Sequence, residues 1–133
     1  MKLTTKSEYS ILALIHLARQ EKKGYIKIDE ICDRYSIPQK YLEQLFTSMK
    51  NSHFINSKRG KEGGYRLAVP AENIKIADVV RLMDGALAPV ESASKYFYSH
   101  SPIEQEKKIL AVFREIRDFV SNKLEALKLS QLV

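Results

Sequence analysis

Two neighbouring segments of this 133-residue chain hold the side chains best suited to binding chemistry. The first begins at Gln39 and ends near Lys50. At helical spacing it presents one polar face of hydrogen-bonding side chains: Lys40, Glu43, Gln44, Thr47 and Lys50. The second, residues 58–66, surrounds three glycines with four cations: Lys58, Arg59, Lys61 and Arg66. Such side chains reach base edges and neutralise phosphates, so the two segments together predict a nucleic-acid-binding site.

The elements around the first segment predict a helix-turn-helix. Thr4 or Thr5 can cap a first helix that runs to about Lys22 or Lys23, with a buried stripe of Ile11, Leu12, Ile15 and Ala18. A short helix opened by Asp29 precedes the tight turn of residues 36–38, and the helix from Gln39 follows. Two helices joined by a turn of three or four residues match a helix-turn-helix. Taken alone, the pair fits an ordinary helical hairpin with a solvated face equally well.

A β-hairpin is predicted around the second segment. Residues 54–57 and 65–68 are short strand candidates, and Gly60, Gly63 and Gly64 supply the unusual φ values that a tight tip needs. Cations around such a tip can straddle a phosphate backbone, and an arginine can enter a narrow minor groove. The alternative is a basic, solvated loop, which does not explain why the cations lie beside a recognition-like helix. The glycines also lack the strand–loop–helix pattern of a nucleotide-binding P-loop.

The charge distribution favours a polyanionic partner for the first half of the chain. Residues 1–70 carry 13 Lys and Arg against 7 Asp and Glu, a net charge of +6. Residues 71–133 carry 9 of each and are neutral. The whole excess of positive charge therefore lies in the half that holds the helix and the hairpin.

Other classes of protein are disfavoured by what the sequence lacks. Cys32 is the one cysteine, so the chain has no internal disulfide and no zinc-ligand spacing, and no metal site is predicted. The histidines His16, His53 and His100 are scattered, and no nucleophile–base pair predicts an enzyme. The longest apolar run, residues 11–18, is too short to span a bilayer. We therefore expect a cytoplasmic protein that is not an enzyme and does not bind a membrane.

The second half of the chain predicts two further helices. Ile76, Val79, Val80 and Met83 define a short helix that ends near Gly85, and residues 86–100 show no period. Ser101, Pro102 and Glu104 are typical of a helix start, and the helix is predicted to run from Ser101 to about Leu127. A heptad-like seam follows it, with Lys123 as its one charged interruption: Ile109, Phe113, Ile116, Val120, Lys123 and Leu127. Four further apolar residues widen this face: Leu110, Val112, Phe119 and Leu124. The seam predicts packing against a second copy of the chain. The alternative is packing onto the chain's own first helix, and both contacts are expected, with the second copy favoured.

These motifs, in this order, resemble the Rrf-type winged-helix transcription regulators, the group that contains IscR, NsrR and CymR. The resemblance covers nearly the whole chain and rests on four segments: residues 1–6, 40–45, 59–67 and 74–80. It implies a mainly α fold with a small β-hairpin wing (α+β), divided into a winged helix-turn-helix domain (residues 1–85), a linker or sensing segment (86–100) and a dimerisation helix with its tail (101–133).

The resemblance implies a homodimeric, sequence-specific regulator, usually a repressor, that binds a partly palindromic double-stranded operator. Glu43 and its neighbours on the helix would read bases, and Arg59 would enter the minor groove. The predicted DNA-binding residues are Gln39, Lys40, Tyr41, Glu43, Gln44, Thr47, Lys50, Lys58, Arg59, Gly60, Lys61, Gly63, Gly64, Tyr65 and Arg66. A winged-helix module that binds protein instead of DNA is the alternative function.

One departure from the family bears on cofactors. Cluster-binding members carry three cysteines before the long helix, and residues 86–104 of this chain contain none. Cys32 falls on the apolar face of the second helix, so no iron–sulfur cluster and no other cofactor is expected. Residues 84–91 are similar to the cluster-free, CymR-like branch, which implies control of sulfur or cysteine metabolism through a partner enzyme of cysteine biosynthesis. The aromatic run Tyr96-Phe97-Tyr98 lies in the sensing segment and either lines an effector site or packs on the long helix.

Overall fold

Five α-helices and one two-stranded sheet make up the fold. The computed structural model describes residues 1–133. The elements are α1 (Thr5–Arg19), α2 (Ile28–Tyr35), α3 (Gln39–Asn51), β1 (Ile55–Lys58), β2 (Gly64–Leu67), α4 (Ile76–Asp84) and α5 (Lys107–Ala126). Single 3-10 turns lie between several of them and after α5. None of these helices combines the length and the apolar character needed to cross a membrane.

The core of the molecule is one large apolar cluster built around α1. Leu14 and Leu17 of α1, Phe46 of α3 and Val79 of α4 are fully buried in it. The predicted stripe of α1 is therefore wrong in part, because the buried apolar residues are Ala13, Leu14, Leu17 and Ala18. The reason is that α1 is contacted by α2, α3, α4 and β2, so burial extends around more of the helix than one stripe.

The turn between α2 and α3 has the predicted length. Ser36 ends α2 in the left-handed region at φ 55°, and Ile37 is buried beneath the turn. Pro38 is the N-cap of α3, and its carbonyl accepts a hydrogen bond from the Leu42 N–H at 3.0 Å. A proline has no N–H to lose at this position, so α3 forms over the predicted residues.

The wing is the antiparallel pair β1 and β2, with Ile55 opposite Leu67 and Lys58 opposite Gly64. A third segment joins it, because Ile26 and Tyr65 exchange two backbone hydrogen bonds of 2.8 Å. The wing is thus a two-stranded sheet whose β2 edge is also bridged at one point by the residues before α2.

The start of α5 differs from the prediction. Residues 102–105 form a 3-10 turn, and α5 begins at Lys107. The Ser101 hydroxyl donates to Ser92 Oγ at 2.8 Å instead of capping a helix, and the Glu104 carboxylate accepts from Tyr98 and faces His100. The two side chains of the expected capping box are therefore engaged elsewhere, and the long helix starts one turn later.

The residues that follow α5 return to the winged-helix body. Lys128 pairs with Lys75 as an isolated β-bridge, and the Leu129 N–H donates to the Ile74 carbonyl at 2.9 Å. Leu129 is fully buried in the same cluster as α1 and α3. This contact joins the predicted units 1–85 and 101–133, whose separation remains a prediction.

Candidate nucleic-acid interface

The polar face of α3 is open to solvent. Its apolar face, formed by Leu42, Leu45, Phe46 and Met49, is buried in the core. The predicted base-reading side chains lie on the other side and are all exposed: Gln39, Lys40, Glu43, Gln44, Thr47 and Lys50. The periodicity of the helix thus brings these six residues together on one surface.

Hydrogen bonds within α3 orient part of that face. Gln39 Nε2 donates to Glu43 Oε1 at 3.2 Å, and Thr47 Oγ1 donates to the Glu43 backbone carbonyl at 3.0 Å. No hydrogen bond within the chain engages the side chains of Lys40, Gln44 or Lys50. Glu43 is therefore held at the centre of the face, and its neighbours keep their hydrogen-bonding capacity for a ligand.

Tyr41 was predicted to bind DNA, and the structure shows it half-buried between α3 and α1. Its hydroxyl lies 3.0 Å from Thr5 Oγ1, and its ring meets Tyr9 edge-on at 5.7 Å. We interpret Tyr41 as a residue that fixes α3 against the beginning of α1.

Tyr65, also predicted to bind DNA, packs the wing onto α3. Its ring lies 4.6 Å from that of the buried Phe46, on the inner face of β2. Because successive residues of a strand alternate in direction, Arg66 and Lys58 lie on the outer face with Asn56. The aromatic contact therefore sets the distance between the recognition helix and the cations of the wing.

The glycines of the wing are required by backbone packing. A Cβ atom on Gly63 would lie 2.1 Å from the Lys58 carbonyl oxygen, and one on Gly64 would lie 2.4 Å from the Ile26 carbonyl oxygen. Gly63 and Gly64 therefore shape the tip and permit the close approach of Ile26, and their contact with DNA stays a prediction. Gly60, at φ 98°, forms the exposed turn next to Arg59.

The cations of this surface have no acidic partners in the chain. Lys58, Arg59, Lys61 and Arg66, like Lys40 and Lys50 of α3, lie more than 4.0 Å from every carboxylate oxygen. All ion-paired lysines and arginines belong to the second half of the chain: Lys75, Arg81, Lys95 and Arg117. Six of the 13 cations in residues 1–70 therefore form an exposed patch on α3 and the wing without an acidic partner.

Two residues of the wing were missed by sequence reasoning. Lys27 Nζ donates a hydrogen bond to the Gly60 carbonyl at 2.9 Å and so joins the tip of the wing to the segment before α2. The guanidinium of Arg66 lies 4.6 Å and the ammonium of Lys58 5.7 Å from the centroid of the Tyr25 ring. Ile26, between Tyr25 and Lys27, is buried, and an apolar residue between two polar ones is the alternation typical of a strand. Three residues are too few for this alternation to predict a strand.

An exposed apolar stripe runs along α5. Its residues and their exposed fractions are Ile109 (39%), Val112 (46%), Ile116 (42%) and Phe119 (74%). Of the other predicted seam residues, Phe113 packs on Ala88 and Leu110, while Leu124 and Leu127 pack on the main core. Val120 is half-buried. The face left open for a partner therefore keeps Ile109 and Ile116 of the predicted seam, with Val112 and Phe119 exposed in place of Phe113 and Val120.

The sequence and the fold agree with a known family. A family model described as Rrf2, iron-dependent transcriptional regulator, matches residues 3–133. The chain belongs to the Rrf2 family. This confirms the resemblance found in the sequence, and the family and the similar solved structures are transcriptional regulators, not enzymes.

Relatives of known name support the assignment to the Rrf2 family. CymR of Bacillus subtilis is 30% identical over 132 residues, which are 99% of this chain and 89% of that protein. Its solved structure, titled as the global cysteine regulator, matches with a TM-score of 0.78 at 29% identity and covers 99% of this chain and 95% of that one. The predicted winged-helix fold is thereby confirmed.

A putative HTH-type regulator of Mycobacterium tuberculosis is 38% identical over 90 residues, 68% of this chain but only 56% of that protein. The chain thus matches little more than half the length of that Rrf2 relative.

The iron named in the Rrf2 description can be tested against the donor atoms present. Cys32 is buried in the core, and burial, together with nearby Asp29 and Asp33, raises the pKa of its thiol. Residues 86–106 contain no thiol, and nowhere in the chain do three His, Cys, Asp or Glu side chains meet as a metal-binding group. Because iron–sulfur clusters are held by thiolates, these residues do not fit one.

The segment between α4 and α5 instead presents aromatic and charged side chains. Tyr96, which is 70% exposed, lies 4.7 Å from the guanidinium of Arg81, and that guanidinium also contacts Glu125 at 2.5 Å. Tyr98 donates a hydrogen bond to Glu104, and Phe97 is exposed. Neither predicted role of the aromatic run, effector binding or packing on the long helix, is tested by these contacts.

Proposed function

We propose that the protein is a sequence-specific DNA-binding transcription regulator that acts as a homodimer. In each subunit α3 lies in the major groove, and the wing follows the flanking phosphate backbone. The observation that carries the proposal is the exposed polar face of α3 beside a wing whose four cations have no acidic partner. Unpaired cations at a protrusion release counterions when they meet phosphates, and this release favours binding to DNA.

The stripe of apolar side chains on α5 supports a homodimer. Four large side chains at steps of three and four residues are left open on one helix. The same face of a second copy covers them most simply, in a self-complementary contact with two-fold symmetry. Two α3 helices related in this way read a partly palindromic operator, with half-sites roughly 34 Å apart.

The likeness to CymR, whose structure is titled as the global cysteine regulator, supports a role in sulfur or cysteine metabolism. In this proposal the protein represses its target genes, and a cysteine-biosynthesis enzyme acts as co-regulator. The absence of a cysteine-rich sensing segment agrees with signalling through a partner protein.

The deciding experiment is retention of fragmented genomic DNA on the purified full chain at moderate salt, followed by sequencing. A Lys58→Ala, Arg59→Ala double variant is the matched control. We expect a few sites with a shared two-fold-symmetric motif for the wild type and loss of these sites for the control. Uniform recovery would contradict sequence-specific binding. Sites upstream of sulfur-assimilation genes would support the metabolic role, and other neighbours would contradict it.

Salt dependence separates this function from a protein-binding winged helix. If the α3 face and the wing bind phosphates, the logarithm of the affinity for a recovered site falls steeply and linearly with the logarithm of the salt concentration, with a slope of about −0.9 per neutralised phosphate. An apolar protein interface has no such slope. Transcription from the recovered promoter in vitro then tests repression, which requires less transcript when the protein is added.

A further inference from the structure

Tyr25 lies at the centre of the outer face of the wing. Its ring is half-buried, with the guanidinium of Arg66 4.6 Å and the ammonium of Lys58 5.7 Å from the ring centroid. No hydrogen bond involves the Tyr25 hydroxyl, so the contact with the two cations is made by the aromatic ring. A cation within about 6 Å of a ring centroid is attracted by the ring quadrupole.

The backbone fixes the ring in this position. Ile26 pairs with Tyr65, so in the antiparallel register Tyr25 lies beside Arg66. The strands approach so closely that a Cβ on Gly64 would meet the Ile26 carbonyl oxygen at 2.4 Å. The backbone next to Tyr25 is therefore held by two hydrogen bonds between Ile26 and Tyr65, while Arg66 and Lys58 are long side chains with many rotamers.

This arrangement has a consequence for binding. A free arginine or lysine loses up to about 2 kcal/mol of rotamer entropy when it is immobilised on a ligand. A ring that already restricts these side chains reduces that loss, because part of the ordering has occurred before binding. The charge is not neutralised, since neither cation has a carboxylate partner.

We propose that Tyr25 is a positioning residue for DNA binding, which holds Arg66 and Lys58 over its ring in the orientation that meets the phosphate backbone. The inference rests on the proposed function and deepens it. The DNA contacts are made by the two cations, and Tyr25 acts through them.

The test compares variants of the full chain on one specific DNA fragment. Tyr25→Leu removes the ring, Tyr25→Phe keeps it, and replacement of Tyr25 by 3,4,5-trifluorophenylalanine keeps the shape of the ring but weakens its quadrupole. The matched control is Tyr96→Leu, which removes a ring that contacts Arg81 at a similar distance, 4.7 Å, away from the wing. Thermal unfolding of each variant shows whether the fold is retained.

We expect Tyr25→Phe and Tyr96→Leu to bind like the wild type. Tyr25→Leu and the trifluorinated variant should bind about two- to fivefold more weakly, with a wild-type melting temperature for the fluorinated protein. If Tyr25→Leu unfolds, the DNA affinity of the fluorinated variant alone tests the role of the ring. Wild-type affinity of the fluorinated protein would overturn the proposal.

A double-mutant cycle with Arg66→Gln distinguishes positioning from a structural role. If Tyr25 acts through Arg66, the loss caused by Tyr25→Leu is smaller in the Arg66→Gln background than in the wild type. Additive losses would overturn the proposal and leave the proposed function standing. Equal affinities of the wild type and Arg66→Gln would also overturn the role of Tyr25 alone. Absence of specific DNA binding by the wild type would overturn the proposed function, and the role of Tyr25 with it.

Discussion

The side chain of Arg59 is not constrained by the rest of the wing. It is exposed beside the positive-φ turn at Gly60, and no carboxylate or aromatic ring of the chain contacts it. A guanidinium at the end of a narrow hairpin is suited to a narrow minor groove, where the negative potential is enhanced.

We expect Arg59→Ala to weaken binding to a specific site about tenfold, because one groove contact is lost. Fluorescence anisotropy with a labelled fragment measures the effect. Arg114→Ala, which removes an exposed arginine from α5, is the control and should leave the dissociation constant unchanged. Equal affinities of the wild type and Arg59→Ala would contradict the placement of the wing.

Glu43 affects sequence preference more than affinity. Its carboxylate is held by Gln39 at the centre of the α3 face, and a carboxylate accepts hydrogen bonds from the cytosine amino group. Glu43→Ala should therefore broaden the preference at one base pair of each half-site while total affinity changes little. Selection from a library of randomised half-sites measures this. An unchanged selected motif would contradict it, and Glu115→Ala on α5 is the control.

At the residue scale, the sequence predicted the exposed polar face of α3 well, because helical periodicity determines which residues face outward. It did not predict Tyr25 or Lys27, since their role depends on a backbone pairing between residues 26 and 65 that is distant in sequence. The packing contacts of Gly64, Tyr41 and Tyr65 also join segments distant in sequence, so the sequence did not predict them. The contacts of these residues and of Gly63 with DNA stay predictions.

Two helices meet at Asp84, where the last residue of α4 lies against the first turn of α1. Its carboxylate accepts hydrogen bonds from the Thr4 N–H at 2.9 Å, the Thr4 hydroxyl at 2.5 Å and the Ser7 hydroxyl at 2.6 Å. Partial burial acts to raise the pKa of Asp84, but the hydrogen bonds from Ser7 and Thr4 outweigh it and hold the pKa below the ordinary value. A negative charge at this position also complements the dipole of α1.

Stability should therefore depend on pH through Asp84. With a lowered pKa in the folded state, its contribution is fully present above the unfolded pKa of about 3.9 and is lost as the pH falls through the folded value. We expect Asp84→Asn to reduce the free energy of unfolding by about 1–2 kcal/mol at pH 7. The difference from the wild type should shrink below about pH 4.

Urea unfolding from pH 3 to pH 7 measures this difference. Asp78→Asn is the control on the same helix, because Asp78 is half exposed and forms only a 3.4 Å surface ion pair with Arg81. A difference between the wild type and Asp84→Asn that stays constant down to pH 3 would contradict the assigned role.

At the element scale, the start of α5 shows where local signals fail. Ser101, Pro102 and Glu104 satisfy every local rule for a helix start, yet they form a 3-10 turn. Ser92, Tyr98 and His100 compete for the same side chains, and such tertiary hydrogen bonds cannot be read from the local sequence.

At the scale of the whole molecule, the proposed homodimer depends on the exposed apolar stripe of α5. Ile116 lies in the middle of its exposed apolar stripe, with Val112 and Phe119 one turn away on either side. We expect Ile116→Glu to produce a folded monomer, because a carboxylate buried between two helices is strongly unfavourable. Analytical ultracentrifugation measures the mass, and circular dichroism measures the fold.

The control for this variant is Ala111→Glu, which places the same carboxylate on another exposed face of α5. It should remain dimeric. A dimeric Ile116→Glu would contradict the proposed interface, and a monomeric wild type would contradict dimerisation as such. If dimerisation is required for operator binding, Ile116→Glu should also bind a two-half-site fragment far more weakly than the wild type.

The sequence predicted the order of elements and the winged-helix architecture because periodicity, turn residues and charge all agreed. It could not predict the register of the α5 seam, since Leu110, Phe113 and Leu124 fit a partner helix and the protein's own core equally well. Only the packed structure shows which side the chain itself covers.

The burial of Leu129 affects how the protein is made. Because Leu129 follows α5 in the chain and fills the core that supports α3, a ribosome must synthesise α5 before the winged helix can close. A chain that ends before Leu129 leaves an apolar gap in this core, so we expect it to be less stable than the intact chain and more readily degraded.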